Sequence, residues 1–449
     1  MVNHEILSED QAKALELITQ FLTSSDETAF SLTGSAGTGK TYLMNILLQS
    51  IGYRVVLCAP THKAKLVLEK TTHRECVTLH NLLALTPNLD IFDLDFRDLL
   101  FKTSGNKLGI PRNGLVICDE ASMINDDLFN LLVQKCAERK TKILFVSDKK
   151  QLKPVKSSEI SLVYNLKSQF ELKQIFRQSL KSALTPILAN LREYPEDNFQ
   201  TSLGEEGSLF CLTDSQEFLS LYLKNIKKAT NNSDILETKL TAYTNNRVDK
   251  YNELIKKVLF NTNKEYNRLE FITSCENFNF NNTNFYNSMD YIICNDPVKI
   301  DRKLPFLNLA LPGYMIELYD SVFKKSEKVF ILSKDISQDY IDCLAFKIED
   351  LRFTAIEDKS RTRGLAWNRY YALFNSFTTP FELEVDGRLI KKKTFVPGYA
   401  CTTHKLQGSS YNNIYVDMKN INTCIDEDVR RQLQYVALSR TKNNAFILQ

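Results

Sequence analysis

The chain has 449 residues, of which 43% are hydrophobic and 25% charged, and its formal net charge is +3 at pH 7. These ordinary globular values exclude wholesale disorder, and the length gives room for about two to four domains. The charge is too small to indicate a nucleic-acid partner by itself, so local motifs must supply any such evidence.

Membrane and metal classes find no support in the sequence. No apolar run approaches the ~18 residues of a membrane helix, and the first residues are polar without a signal-peptide core, so we expect a cytoplasmic protein with no membrane partner. The ten cysteines form no Cys-x-x-Cys pair, which leaves zinc and redox motifs unsupported.

The N-terminal part of the chain alternates predicted helices with short apolar runs. Helices are predicted over residues 10–21 and 42–48, and buried strands over residues 29–33, 55–59, 115–118 and 143–146. Continuous apolar strands between helices predict a parallel sheet covered on both faces. In such sheets ligands bind beyond the carboxyl ends of the strands, and the motifs described below fall at such ends.

This rhythm is interrupted twice. Residues 86–112 contain Phe92, Phe96 and Phe101 and indicate a small insertion. A second strand-and-helix series starts at residue 240, but residues 261–295 hold ten asparagines, which predicts surface loops and turns. The α/β pattern returns near residue 395, so a partly β domain is predicted to be inserted into the second α/β domain.

The first strong motif is a phosphate-binding loop. Residues 34–41 fit G-x-x-x-x-G-K-S/T, in which glycines let backbone N–H groups turn toward phosphates and the next helix adds its N-terminal dipole. Lys40 is predicted to reach the β- and γ-phosphates, and the Thr41 hydroxyl to ligate Mg²⁺. The predicted ATP-binding residues of this loop are Gly34, Ser35, Ala36, Gly37, Thr38, Gly39, Lys40 and Thr41.

Two further strand ends complete the predicted ATP site. The strand 115–118 delivers Asp119 to the Mg²⁺ and Glu120 to the attacking water. After the strand 143–146, Gln151 could bond both the γ-phosphate and the water. Taken alone, that segment is better explained as a solvated charged loop.

These three strand ends, in this order, resemble the superfamily-one helicases. Residues 59–64 and 78–80 look like two DNA-contact motifs of that family, and residues 402–409 and 435–441 are similar to its motifs V and VI. Residues 119–123 and 148–154 have the form seen in the RecD-like branch, although Ser147 stands where the family usually has glycine.

The resemblance implies roles for further residues. Gln11 would contact adenine, and Gly408 would belong to the nucleotide site. Arg177 and Arg440 would come from the second domain to the γ-phosphate, where a fixed guanidinium offsets charge that develops in the transition state. ATP would thus bridge two domains.

The DNA-contact motifs contain three of the five histidines, together with hydroxyls and cations that hold a phosphate backbone without reading sequence. The predicted DNA-binding residues are Pro60, Thr61, His62, Lys63, Thr78, His80, Thr403, His404 and Lys405. The phenylalanines of 86–112 either stack on the end of a duplex or form a small core. The run 391–393 is either a solvated face or a DNA contact, and Trp367 either packs in a core or stacks on a base.

The implied fold is α/β, with two RecA-like P-loop domains, a small insertion in the first and a larger, partly β insertion in the second. The predicted divisions are 1–85 and 113–170 (first domain), 86–112 (wedge-like insertion), 171–259 and 391–449 (second domain) and 260–390 (inserted domain). The implied protein is a monomeric ATP-dependent DNA helicase that moves 5′-to-3′, with single-stranded and fork DNA as partners; contacts with single-strand-binding or replication proteins are left open.

Three other classes remain open at this stage. A nucleotide kinase would share the phosphate loop but needs no motif V. A non-enzymatic scaffold would be free to lose Lys40, Thr41, Asp119 and Glu120, all of which are present. A DNA-stimulated ATPase or translocase subunit, active only with partner proteins, would keep every motif.

Overall fold

The structure is a computed structural model that describes residues 7–98, 100–104, 108–152, 161–174, 182–229, 237–281, 283–320 and 323–449. The helices in these ranges are α1 Glu9–Thr23, α2 Lys40–Ser50, α3 His62–Thr72, α4 Leu79–Leu82, α5 Asp126–Glu138, α6 Leu184–Leu191, α7 Ser215–Ala229, α8 Asn245–Phe260, α9 Gln338–Glu357, α10 Arg363–Phe374, α11 Met418–Ile421 and α12 Glu427–Ser439. No helix among the described residues has the length and apolar character needed to cross a membrane.

The strands follow the same chain order. They are β1 Ala29–Gly34, β2 Val55–Ala59, β3 Cys76–Thr78, β4 Leu85–Pro87, β5 Phe101–Thr103, β6 Leu115–Cys118, β7 Lys142–Ser147, β8 Gln169–Leu172, β9 Ser208–Leu212, β10 Thr238–Ala242, β11 Phe271–Ser274, β12 Phe278–Phe280, β13 Thr283–Phe285, β14 Asp290–Ile293, β15 Val298–Lys303, β16 Ala310–Asp320, β17 Lys325–Leu332, β18 Leu383–Val385, β19 Arg388–Lys391, β20 Phe395–Pro397, β21 Ala400–Thr402, β22 Tyr411–Asp417 and β23 Thr441–Leu448.

Two parallel sheets form the centre of the molecule. The first has the order β3-β2-β6-β7-β1-β8 and the second β21-β10-β22-β23-β9. Strands β1 and β6 are buried along their whole length, as the continuous apolar runs predict. The predicted α/β fold with two parallel-sheet domains is confirmed. The last strand of the first sheet, β8, crosses the predicted domain limit at residue 170.

A third sheet is formed by strands that lie, in the sequence, between the two chain segments of the second domain. It is antiparallel, with the order β15-β16-β14-β11-β20, and β17 pairs with β16. Because β20 pairs with β11, the inserted domain extends past residue 390 to Pro397.

The expectation of surface loops over residues 261–295 is wrong. The segment contributes strands β11 to β14, and Ile272, Phe280 and Phe285 are buried in the core of the inserted domain. Asparagines line the hairpin β12–β13 from outside, where the side chains of Asn279 and Asn284 bond each other across the strands. The asparagine-rich composition therefore hides a strand pattern carried by a few aromatic and aliphatic residues.

The small insertion packs against the inserted domain. Its hairpin pairs β4 with β5, and Leu89 and Leu94 belong to the same core cluster as the third sheet. Trp367 also packs against that core, with its ring 5.6 Å from Tyr370 in an edge-on arrangement. Core packing is therefore the interpretation that the structure supports for Trp367.

Lys391 is not part of a solvated basic face. Its side chain is buried, its Nζ donates to the Phe374 carbonyl at 2.9 Å, and the ammonium lies 3.8 Å from the centroid of the Phe374 ring. Burial lowers the pKa of Lys391 to about 8, partly offset by Glu276. A DNA contact by this lysine is excluded in the described conformation.

The lowered pKa of Lys391 gives a pH-dependent stability. The folded chain binds fewer protons than the unfolded chain between pH 8 and the ordinary lysine pKa of 10.5, so stability rises with pH in that window. Relative to Lys391→Met, the unmodified chain should gain about 2 kcal/mol between about pH 8 and pH 10. Urea unfolding of both chains at the two pH values measures the difference. The neighbouring Lys392→Met is the control, and an equal slope in all three chains would contradict the assignment.

Candidate nucleotide and DNA sites

The phosphate loop lies between β1 and α2. Gly37 and Gly39 have φ angles of 88° and 80°, in the left-handed region that favours glycine. A Cβ at Gly34 would come within 2.6 Å of the Thr38 hydroxyl. The glycines of the motif are therefore required by the backbone, and the loop ends directly at the N-terminus of α2, where anions bind favourably.

Gln11 connects the first helix to this loop. Its Nε2 donates to the Thr38 carbonyl at 3.3 Å, while its Oε1 accepts the Ser8 amide in the capping box of α1. This contact links α1 to the backbone of the phosphate loop. The predicted adenine contact of Gln11 stays a prediction. Lys40 lies over the loop, with Nζ 2.6 Å from the Gly34 carbonyl oxygen.

The acidic pair follows β6, as predicted. Glu120 has a φ of 52°, a left-handed conformation that is uncommon outside glycine and is found preferentially at functional sites. Its amide donates to Asp119 Oδ1 at 2.9 Å. Burial and the neighbouring Glu120 carboxylate raise the pKa of Asp119, while Lys40 and Arg440 act in the opposite direction. The pair is thus a site of closely spaced negative charge that a cation would stabilise.

Arg440 reaches this acidic pair from the second domain. It is the C-cap of α12, it is buried, and its Nη1 lies 3.8 Å from Glu120 Oε1. Its Nε and Nη2 are also buried and have no hydrogen-bond partner among the described residues, and the same holds for Gln151 Oε1. Arg177, the other predicted arginine, lies outside the described residues.

These groups fit a nucleoside triphosphate with Mg²⁺. Thr41 and Asp119 carry hard oxygen atoms of the kind that Mg²⁺ prefers, and these two side chains would hold the ion. The open donors of Arg440 suit phosphate oxygens, which a guanidinium binds in a planar fork. The geometry brings the phosphate loop, the acidic pair and a second-domain arginine to one place.

Sequence reasoning assigned no role to Tyr435, although it lies inside the predicted motif VI. Its hydroxyl accepts the Ala36 amide of the phosphate loop at 3.2 Å and donates to Asp148 Oδ2 at 2.9 Å. The Tyr435 side chain crosses from the second domain to two motifs of the first. A buried tyrosine hydroxyl usually has a hydrogen-bond partner, and Tyr435 lies in a helix whose neighbouring residues are buried. That expectation was the one signal for a contact of this hydroxyl.

The predicted DNA motifs of the two domains also meet. Thr61 caps α3 by accepting the Ala64 amide, and a Cβ at Gly408 would lie 3.3 Å from Ala64. Lys63 Nζ lies 3.2 Å from the Tyr411 hydroxyl of the second domain. Gly408 therefore packs against the DNA motif of the first domain, and its assignment to the nucleotide site stays a prediction.

Burial disfavours the charged form of all three motif histidines. Burial lowers the pKa of His62 to about 4, and burial also lowers the pKa values of His80 and His404. The His62 ring stacks on Tyr286 of the inserted domain with 4.2 Å between centroids. With a pKa of about 4, His62 can accept a hydrogen bond or stack on a base, but it brings no positive charge to a phosphate.

Two predicted DNA contacts are buried. The Thr78 hydroxyl caps α4 by accepting the Asn81 amide, and Thr403 is bonded to the Thr241 hydroxyl and the Ala242 carbonyl. Their side chains position the neighbouring His80 and His404. Pro60 and Lys405, two further predicted DNA-binding residues of these motifs, are partly exposed.

The three phenylalanines of the small insertion differ in environment. Phe96 stacks on Phe374 and packs against the core of the inserted domain, which supports the core interpretation for that residue. Phe101 is 47% exposed on β5, and its ring lies 4.8 Å from His80. Phe92 is 51% exposed and stacks on Phe353. Phe101 is thus the phenylalanine that adjoins a predicted DNA motif.

Comparisons with known proteins agree with this arrangement. Residues 6–209 match the AAA domain family, and residues 397–448 match the UvrD-like helicase C-terminal domain. The ATP-dependent DNA helicase Dda of Enterobacteria phage T4 is 24% identical, with 98% of each chain covered. The RecBCD enzyme subunit RecD of Buchnera aphidicola is 23% identical over 95% of this chain and 71% of the relative.

Among solved structures, a Pif1 helicase from Bacteroides in complex with ADP-AlF3 and single-stranded DNA has the same fold. Its TM-score is 0.51 at 15% identity, with 98% of this chain and 92% of that chain covered. The two parallel sheets, the phosphate-loop site and these relatives together make the chain similar to the RecD-like branch of the superfamily-one helicases.

Proposed function

We propose that this chain is an ATP-dependent DNA helicase that moves 5′-to-3′ on single-stranded DNA and separates duplex. One observation carries the proposal: Arg440 of the second domain reaches Glu120 of the first, which is the arrangement expected of a nucleotide site shared by two domains. Relatives described as an ATP-dependent DNA helicase and a RecD subunit support the activity. The direction follows from likeness to the RecD-like branch.

In the proposed nucleotide site, Lys40 and the loop amides bind the phosphates and Glu120 orients the attacking water. Mg²⁺, held by Thr41 and Asp119 together with the phosphates, would neutralise their charge. Arg440 offsets the charge that develops on the γ-phosphate, and Gln151 lies at the neighbouring strand end. Closure of the two domains around the nucleotide, followed by release, supplies the two states of a motor.

The proposed DNA path runs along the motifs that meet between the domains. Lys63 and Lys405 neutralise phosphates, and His62, His80 and His404, whose pKa values burial lowers, contact the DNA through their rings. Tyr286 extends the path into the inserted domain through its stack on His62. Phe101, exposed beside His80, is placed to stack on the end of a fork.

Strand displacement tests the proposal. The purified chain is given ATP and Mg²⁺ with two duplexes, one with a 5′ single-stranded tail and one with a 3′ tail, and Lys40→Ala serves as the inactive control. Unwinding of the 5′-tailed duplex alone is expected. Unwinding of the 3′-tailed duplex alone would overturn the direction. ATP hydrolysis without unwinding of either duplex would favour a translocase that needs partner proteins.

The electrostatics of the path give a salt and pH prediction for DNA binding. Affinity for single-stranded DNA should fall with salt, with a log–log slope of about −0.7 per neutralised phosphate. Because burial lowers the pKa of His62 to about 4, His62 stays neutral between about pH 6 and pH 8, so its contribution to the affinity at constant ionic strength should change less than about twofold. Fluorescence anisotropy measures both effects. A severalfold gain in affinity at the lower pH, lost in His62→Gln, would show that His62 becomes charged on DNA.

A further inference from the structure

Tyr435 is held by bonds to two different motifs of the opposite domain. Its hydroxyl accepts the Ala36 amide at 3.2 Å and donates to Asp148 Oδ2 at 2.9 Å, and its side chain is fully buried. Burial and the Asp148 carboxylate raise the pKa of Tyr435, so the phenol keeps the proton that it donates. Its one hydroxyl therefore both accepts and donates, and it connects the phosphate loop to the turn after β7.

Asp148 fixes the conformation of that turn. Its Oδ1 accepts the Lys150 amide at 3.0 Å, and its carbonyl accepts the Gln151 amide at 3.3 Å and the Tyr164 hydroxyl at 3.1 Å. Gln151, placed by this turn, has a buried Oε1 that is without a partner among the described residues. A displacement of the Asp148 carboxylate would therefore change the position of the Gln151 side chain.

The same helix carries Arg440. Tyr435 lies in the last two turns of α12, and Arg440 is its C-cap. A rigid movement of α12 would displace the Arg440 guanidinium and the Tyr435 hydroxyl together, and with the hydroxyl its bonds to the Ala36 amide and the Asp148 carboxylate. The second domain thus acts on the nucleotide site at three points through one helix.

We propose that Tyr435 is a positioning residue that couples domain closure to the phosphate loop and to Gln151. The inference rests on the proposed ATPase function, because it assigns Tyr435 a part in setting the geometry of that site. The hydroxyl is the active group: it makes both bonds, and the ring alone would serve only packing.

Tyr435→Phe removes the hydroxyl and keeps the ring. The matched control is Tyr222→Phe, since Tyr222 is also fully buried and its hydroxyl donates to the Tyr399 carbonyl at 2.7 Å in a contact remote from the loop. We expect Tyr435→Phe to lower the DNA-stimulated kcat for ATP about tenfold, with KM changed less than about threefold. A kcat equal to that of the control would overturn the proposal, and so would a loss confined to KM.

The bond to Asp148 is tested by a double-mutant cycle. If Tyr435 acts through Asp148, then Asp148→Asn and Tyr435→Phe should lower kcat to a similar extent, and the double variant should be no worse than about threefold below either. Independent losses that multiply to about a hundredfold would show that the two groups do not act as one unit, and would overturn the coupling.

A readout without turnover separates this inference from the proposed function. Hydrogen exchange of the Ala36 and Lys150 amides should be faster in Tyr435→Phe than in the unmodified chain and in Tyr222→Phe. Unchanged protection would overturn the role of the hydroxyl even in an active helicase. Conversely, faster exchange would support it even if the unmodified chain failed to unwind DNA, which would contradict the proposed function alone.

Discussion

Replacement of Arg440 by alanine is expected to lower the DNA-stimulated kcat for ATP by about 10³-fold, the low end of what an arginine finger contributes. Arg440 Nη1 already lies 3.8 Å from Glu120, and two further nitrogens of the guanidinium are buried without partners among the described residues. The group is thus fixed before the γ-phosphate develops extra charge, so its removal acts on the transition state more than on ATP binding. Steady-state ATPase assays with single-stranded DNA, together with nucleotide-binding titrations, measure the two effects separately.

Arg431→Ala is the matched control for Arg440→Ala. Arg431 is also a buried arginine of the same helix, but its Nη1 donates to the Arg192 carbonyl at 2.8 Å, away from the acidic pair. A similar loss in both variants would indicate that α12 had shifted. Normal hydrolysis by Arg440→Ala would show that the two-domain mechanism is wrong.

The geometry of the candidate nucleotide site was largely predictable because its signals are local. A phosphate loop requires glycines at fixed positions, and Gly37 and Gly39 indeed have the left-handed φ angles that this spacing implies. Asp119 and Glu120 follow a continuously buried strand, which the apolar run marks directly. The predicted proximity of Arg440 came from a family resemblance, because the sequence holds no local sign of a contact 320 residues away.

The inserted domain was poorly predictable for physical reasons. Its strands β11 to β14 are three or four residues long, and the asparagines between them have the composition of loops. The burial of Lys391 was equally unpredictable from its local sequence. Its ammonium lies over the rings of Phe374 and Phe377, and these cation–π contacts make the burial possible. Sequence patterns indicate which residues prefer contact with water. A charged residue can still be buried when partners from distant parts of the chain surround it, and a local pattern does not show those partners.

Arg352 is such an exception. It is 0% exposed on α9, forms a bidentate pair with Glu349, and donates to the carbonyls of Leu89, Ile91 and Phe92 in the small insertion. Three of the five hydrogen bonds from this guanidinium go to the insertion and hold it against the inserted domain, and the other two go to Glu349 on α9. Neither Arg352 nor the insertion backbone carries a local signal of this contact.

Arg352→Met should therefore detach the insertion. It leaves Glu349 as a buried unpaired carboxylate and removes the donors of three carbonyls, which together should cost about 3–5 kcal/mol. A two-stranded hairpin is marginal by itself. The Asn88 amide donates to the Leu100 carbonyl within the insertion, and the Ser104 amide donates to the carbonyl of Ala84, just before it. Both amides should exchange several hundredfold faster, on the order expected from that cost.

Arg388→Met is the control for Arg352→Met, because Arg388 also donates to the Phe92 carbonyl but is partly exposed and pairs with an exposed Asp93. It should cost no more than about 1 kcal/mol. The double variant Glu349→Leu with Arg352→Met removes the unpaired charge and should recover part of the loss, since an apolar replacement of both partners avoids the buried carboxylate. Equal exchange rates in Arg352→Met and Arg388→Met would mean that the small insertion is held by its apolar contacts, Leu89 and Leu94, and that the guanidinium contributes little.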